Sequence, residues 1–103
     1  RWWLRQLEPD DITDILQEVM ERYNVRLADL QGKRRQRSIA FPRQICMYLA
    51  RELTPLSLEE IGGYFGGRDH TTVLHAVRTI QNQRSLDGDL ETNLRQMADH
   101  LLK

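Results

Sequence analysis

The glycine pair Gly66-Gly67 separates two apolar-periodic segments, and it constrains the fold of this chain more than any other feature. Two glycines permit a reversal tight enough for a short helix to fold back on a longer one. Ahead of the pair, Ser57 and Glu60 have capping-box spacing, and Leu58, Ile61, Tyr64 and Phe65 supply one apolar side. After it, helical spacing puts Val73, Leu74, Val77 and Ile80 on one face and Arg68, Thr71, Thr72, His75 and Thr79 on the other. The pattern predicts a helix over 57–65 and a longer one from Arg68 to about Arg84, together a helix-turn-helix. A helix whose polar face carries donors, an acceptor and threonine methyls near its N-terminus has what reading base edges in a major groove requires. Gly62-Gly63 costs the short helix about 1 kcal/mol per glycine, which a close helix crossing would offset.

The remaining periodicity is also helical. Acidic residues in the first turn predict a helix from Asp10 or Asp11 to Tyr23, with the stripe Ile12, Ile15, Leu16, Val19 and Met20 facing a core. Asn24 fits its stop, and Leu27 to Leu30 reads as a single helical turn. Gly32 and the basic run 33–37 form a loop, after which Ser38 is the expected N-cap of a helix reaching Leu53, with Pro42 in its first turn. Thr54-Pro55-Leu56 breaks that helix, Ser85 to Asp89 reads as a loop, and a last helix covers Leu90 to Leu102 with Leu94, Met97, Ala98 and Leu101 inward. The fold class is therefore all-α, a small helical bundle built around the helix-turn-helix. At 103 residues there is one core, and residues 1–9 read as a flank or linker remnant before a domain over 10–103.

The zero net charge conceals a polarised chain. Residues 26–78 carry nine basic and five acidic side chains, whereas 1–25 carry three and six. Lys33, Arg34, Arg35, Arg37, Arg43 and Arg51 occur with no acid among them, and such a run next to a helix-turn-helix points to nucleic acid. No run reaches membrane-span length, so membrane contact is not expected. Cys46, the lone cysteine, lies in an apolar helical pattern and is expected as a buried thiol. His70 and His75 fall on different helix faces with no cysteine or carboxylate cluster, which argues against a metal site. Asp69-His70 has no nucleophile placed to complete a triad, so neither catalysis nor a small-molecule substrate is expected. His100 is expected on the surface at the last helix's C-terminus. Trp2-Trp3-Leu4 with Leu7 reads as an apolar segment docking on the first helix or a remnant of an upstream domain; a partner- or membrane-contacting handle is the alternative.

The segments Lys33-Arg34-Arg35-Gln36-Arg37-Ser38, Phe41-Pro42-Arg43-Gln44, Ser57-Leu58-Glu59-Glu60-Ile61-Gly62 and Gly67 to Ala76 closely resemble the C-terminal DNA-binding domain of the bacterial replication initiator DnaA, in the right order over about residues 10 to 103. The resemblance implies a Trp-repressor-like helix-turn-helix and binding to the DnaA box, a short asymmetric duplex element repeated at the replication origin. It implies that Arg35 enters the minor groove, that Asp69, His70 and Thr71 hydrogen-bond to bases, and that Thr72 meets a thymine methyl. Lys33, Arg37, Arg43, Gln44, Arg51, Thr54, Arg68 and His75 resemble phosphate-facing positions. Two positions depart from the pattern. Glu59 stands at a base-facing position where many members have a proline packed on a thymine methyl, and Thr79 stands where a basic residue is common. Family members carry an ATPase domain upstream; this chain has no G-x-x-x-x-G-K-[ST] and no expected cofactor of its own.

The expected function is sequence-specific duplex-DNA binding as the DNA-binding domain of a replication initiator, cytoplasmic and nucleoid-associated. A stand-alone helix-turn-helix regulator, a DNA-targeting module of a mobile-element protein, and a protein-interaction module using the tryptophans and the acidic first helix are the alternatives. An asymmetric target and the absence of a heptad seam suggest a monomer.

Overall fold

The structure, a computed structural model, describes residues 6–102. Trp2, Trp3 and Leu4 therefore lie outside the described residues. A 3-10 turn, Pro9–Asp11, leads into six α-helices: α1 (Ile12–Tyr23), α2 (Leu27–Gln31), α3 (Arg37–Leu53), α4 (Leu58–Gly63), α5 (His70–Leu86) and α6 (Gly88–Leu101). No strand occurs among the described residues, as the periodicity predicts.

The long α3 is the central post, because it is buried on nearly every side: Ile45, Cys46, Met47, Tyr48, Leu49, Ala50 and Leu53 are all within the core. Onto it pack α1, through Ile12, Ile15, Leu16 and Val19, and α5, through Val73, Ala76, Val77 and Ile80. Leu90, Leu94, Met97 and Ala98 of α6 close the same cluster. Leu7 packs against it, and its N–H donates to Leu53 O at 2.8 Å. Burial pushes the Cys46 thiol far above its usual range, so it behaves as a small apolar side chain. The phenol of the buried Tyr48 accepts from Arg84 Nη1 at 2.6 Å, which removes the cost of an unpaired hydroxyl in the core.

Several sequence expectations shift. Helix α3 starts at Arg37 after Gln36, not after Ser38: Gln36 is extended (φ −62°, ψ 145°), its carbonyl accepts from Ile39 and Ala40, and Arg37 stacks over Phe41 with 4.6 Å to the ring centroid. Pro42 thus lies in the second turn, where it has no N–H to offer the carbonyl of exposed Ser38. The loop expected over 85–89 shrinks to Asp87, whose carboxylate accepts from the N–H groups of Asp89 and Leu90 while α5 runs on to Leu86. Tyr64 is exposed rather than buried, and Leu74 is half-buried, its expected place in the core taken by Ala76.

Candidate nucleic-acid interface

The turn of the helix-turn-helix is built by close backbone approach. Arg68 N–H donates to Gly62 O at 3.1 Å, and a Cβ on Gly62 would lie 2.0 Å from Arg68 O. Only glycine fits there. Gly66 (φ +78°) lies in the left-handed region, and its Cα faces Gln31 O so closely that a Cβ would stand 2.4 Å away. Gly63 has open space around it, so the close-crossing explanation holds for Gly62 alone. Helix α4 starts with a complete capping box: Glu60 N–H donates to Ser57 Oγ at 3.1 Å and Ser57 N–H to Glu60 Oε1 at 3.0 Å. The Ser57 backbone N–H, ahead of the Ser57 side chain, holds the Glu60 carboxyl below its usual range.

Helix α5 starts at His70, so the expected helical stripe loses its first member. Arg68 lies before the helix, half-buried rather than exposed, and Asp69 is the N-cap. Asp69 Oδ1 accepts from Thr72 N–H at 2.9 Å and from the Thr71 hydroxyl at 2.8 Å, and these bonds depress the carboxyl's pKa. The Thr71 hydroxyl proton is thereby engaged, and the Thr72 side chain also bonds the Asp69 carboxylate. His70, Thr71, Thr72 and His75 are exposed. Thr79 is half-buried, and its hydroxyl donates back to His75 O at 2.8 Å.

Two clefts gather the candidate residues from different elements. A shallow one of about 430 Å³ is lined by Arg51 of α3, by Ser57, Leu58 and the exposed Glu59 at the start of α4, and by His70 of α5. A narrower one of about 110 Å³ runs between α3 and α5, where Ala40, Gln44, Arg68, Thr72 and His75 are among its walls. Lys33, Arg34, Arg35 and Arg37 are exposed on the loop and at the head of α3. Arg68 Nη2 donates to Gly32 O at 2.7 Å, and its Nη1 donates to Phe65 O, so the start of the basic loop is one guanidinium away from the helix-turn-helix.

Two expected phosphate-facing side chains are instead committed to the interior. Thr54 is 1% exposed; its hydroxyl donates to Ala50 O at 2.6 Å and accepts from Leu56 N–H at 3.2 Å, closing the end of α3. Arg43 is 6% exposed and donates to three backbone carbonyls, of Asp29, Leu30 and Arg34. Helical spacing alone could not separate Arg43 from its exposed neighbours, because its carbonyl partners lie on α2 and the loop after it. Among the described residues no group of three or more His, Cys, Asp or Glu could hold a metal ion, and no helix is long and apolar enough to cross a membrane.

The family model of the bacterial DnaA protein helix-turn-helix matches residues 12–80, the stretch from α1 into α5 that contains both clefts and the basic loop. The chain belongs to the bacterial DnaA family. It is 52% identical over 92 residues to the chromosomal replication initiator protein DnaA of Cereibacter sphaeroides, covering 89% of this chain and 20% of that protein. With DnaA of Burkholderia multivorans the identity is 55% over 83 residues, 81% of this chain and 16% of that protein. The chain thus spans about a fifth of the length of these relatives. Among solved structures, a DNA replication initiation factor superposes with a TM-score of 0.81 at 28% identity, covering 91% of this chain and 29% of that one. A replication initiator DnaA bound to AMPPCP and single-stranded DNA gives 0.73 at 30% identity, covering 90% and 29%.

Proposed function

We propose that this chain binds duplex DNA sequence-specifically, at DnaA-box elements of a replication origin, as the DNA-binding domain of a DnaA-type initiator. The observation that carries this reading is the Arg68 tie between Gly32 and Phe65 beneath an exposed basic loop, which holds that loop beside the polar N-terminal end of α5. A duplex lying across both offers the major groove to Asp69, His70, Thr71 and Thr72, and the adjacent minor groove to Arg35. Lys33, Arg37, Gln44, Arg51 and His75 fix the register on phosphates, and Arg68 adds positive potential from behind. Asp69 acts first as a helix cap, and the lone pairs that capping leaves over accept from a cytosine amino group. No catalysis is assigned to this chain, and it acts as a monomer on an asymmetric site in the nucleoid.

The test is a fluorescence-anisotropy titration of this chain on a box duplex and a scrambled duplex across a salt series. Tighter binding to the box at every salt concentration, by a factor of at least 10³ at physiological salt, is the expected result. Equal affinity for both duplexes would reduce the chain to a non-specific polycation-like binder.

A further inference from the structure

The basic loop is held by two arginines that spend their hydrogen bonds on backbone. Arg43 reaches from the second turn of α3 and donates through Nη2 to Asp29 O at 2.7 Å, through Nε to Leu30 O at 2.9 Å and through Nη1 to Arg34 O at 3.0 Å. The first two carbonyls belong to the last turn of α2, where a helix has no partners of its own to offer. The third sits next to Arg35. Arg68 bonds the start of the loop at Gly32 O and the helix-turn-helix at Phe65 O, and Gln31 Nε2 donates to Tyr64 O at 2.9 Å beside it.

Neither arginine forms an ion pair among the described residues. Burial is the main cause that lowers the pKa of each, and Arg68 lowers that of Arg43 further by repulsion. Taking a cation from water and setting it near another costs stability, so packing alone gives no reason for this pair. What a planar guanidinium supplies, and an ammonium does not, is a rigid fork that bonds three carbonyls at fixed angles.

We propose that Arg43 and Arg68 are positioning residues that set the distance and orientation of the Arg35 loop relative to the recognition helix α5. The two grooves of one duplex are thereby read in a single register. Arg43 holds the end of α2 and the loop at Arg34, next to Arg35, and Arg68 transmits the position of the loop to the turn that starts α5. The proposal rests on the DNA-binding reading above and concerns what makes its two arms act together.

The test is a double-mutant cycle of Arg35→Ala and Arg43→Lys, read as affinity for box and scrambled duplexes, with circular dichroism and thermal melting to establish folding. Arg35→Ala is expected to weaken box binding about tenfold and scrambled binding little. Arg43→Lys keeps the charge but loses the fork, so it is expected to lower the box-to-scrambled ratio by a similar factor while the salt slope stays unchanged. In the Arg43→Lys background Arg35→Ala should then cost less than about threefold, since the two residues act as a unit. If Arg35→Ala costs its full factor in both backgrounds, or if Arg43→Lys weakens both duplexes alike, positioning is overturned. If the unaltered chain does not distinguish the duplexes, the DNA-box reading fails and the proposal falls with it. Should Arg43→Lys not fold, Arg68→Lys goes through the same cycle with the same expectations.

Discussion

At the scale of single residues, the side chains divide by where their hydrogen bonds are spent. Arg35 and His70 are exposed, and the bases are their proposed partners. Arg35→Ala and His70→Ala should each cost about 1–3 kcal/mol on the specific site and far less on random DNA, measured by anisotropy at matched salt. Arg51→Ala should weaken all sequences alike and flatten the log–log salt slope by about one, the signature of a lost phosphate contact. Glu59 sits in the first turn of α4, where the helix dipole favours a carboxylate and where a backbone N–H has no carbonyl in its own helix to bond. Glu59→Pro should therefore leave the fold intact and tighten binding to a box that offers a thymine methyl there, by on the order of 1 kcal/mol. An unchanged dissociation constant would mean that Glu59 does not meet the bases.

At the scale of elements, the sequence disclosed where helices lie better than where their ends fall. Period and caps were legible: Ser57 with Glu60 marked the start of α4, and the stripe of Ile12, Ile15, Leu16 and Val19 marked the inner face of α1. The start of α5 was misplaced because Arg68 and Asp69 fit the helical period of the residues that follow, although Asp69 is the cap that precedes the helix. Arg43 was read as a surface residue because nothing local distinguishes a guanidinium that meets phosphate from one that meets the carbonyls of α2 thirteen or fourteen residues away, and Thr54 because a threonine after a helix shows no sign of whether its hydroxyl turns back on that helix. The two glycines of α4 give a direct check on this scale. Gly62→Ala drives a Cβ into Arg68 O and should cost about 1–3 kcal/mol of stability, whereas Gly63→Ala, in open space, should be neutral or gain up to about 0.5 kcal/mol in urea unfolding.

At the scale of the whole molecule, α6 is locked to α5 by a charged latch. Glu91 of α6 accepts from Arg84 of α5 and from Arg95, and Arg84 also donates to Tyr48 of α3. The hydrogen bonds from Arg84, ahead of those from Arg95, hold the Glu91 carboxyl at about 2 against an ordinary 4.5. A depressed carboxyl stabilises the fold above its unfolded pKa, and that contribution is lost as pH falls from about 4.5 towards 2. Glu91→Gln should thus lower Tm at pH 7, and the gap to the unaltered chain should shrink progressively as the pH falls through that window. A gap that stays constant would mean that the latch holds no net charge interaction.

The same whole-molecule view sets a basic loop and α5 on one frame, which the proposed function places against one duplex. A selection of random duplexes by this chain tests that arrangement most directly. The account predicts enrichment of one short asymmetric element, with an A·T-rich step at the end facing Arg35 and defined bases at the end facing His70 to Thr72. A palindromic consensus, or a pool that stays random after several rounds, would contradict it.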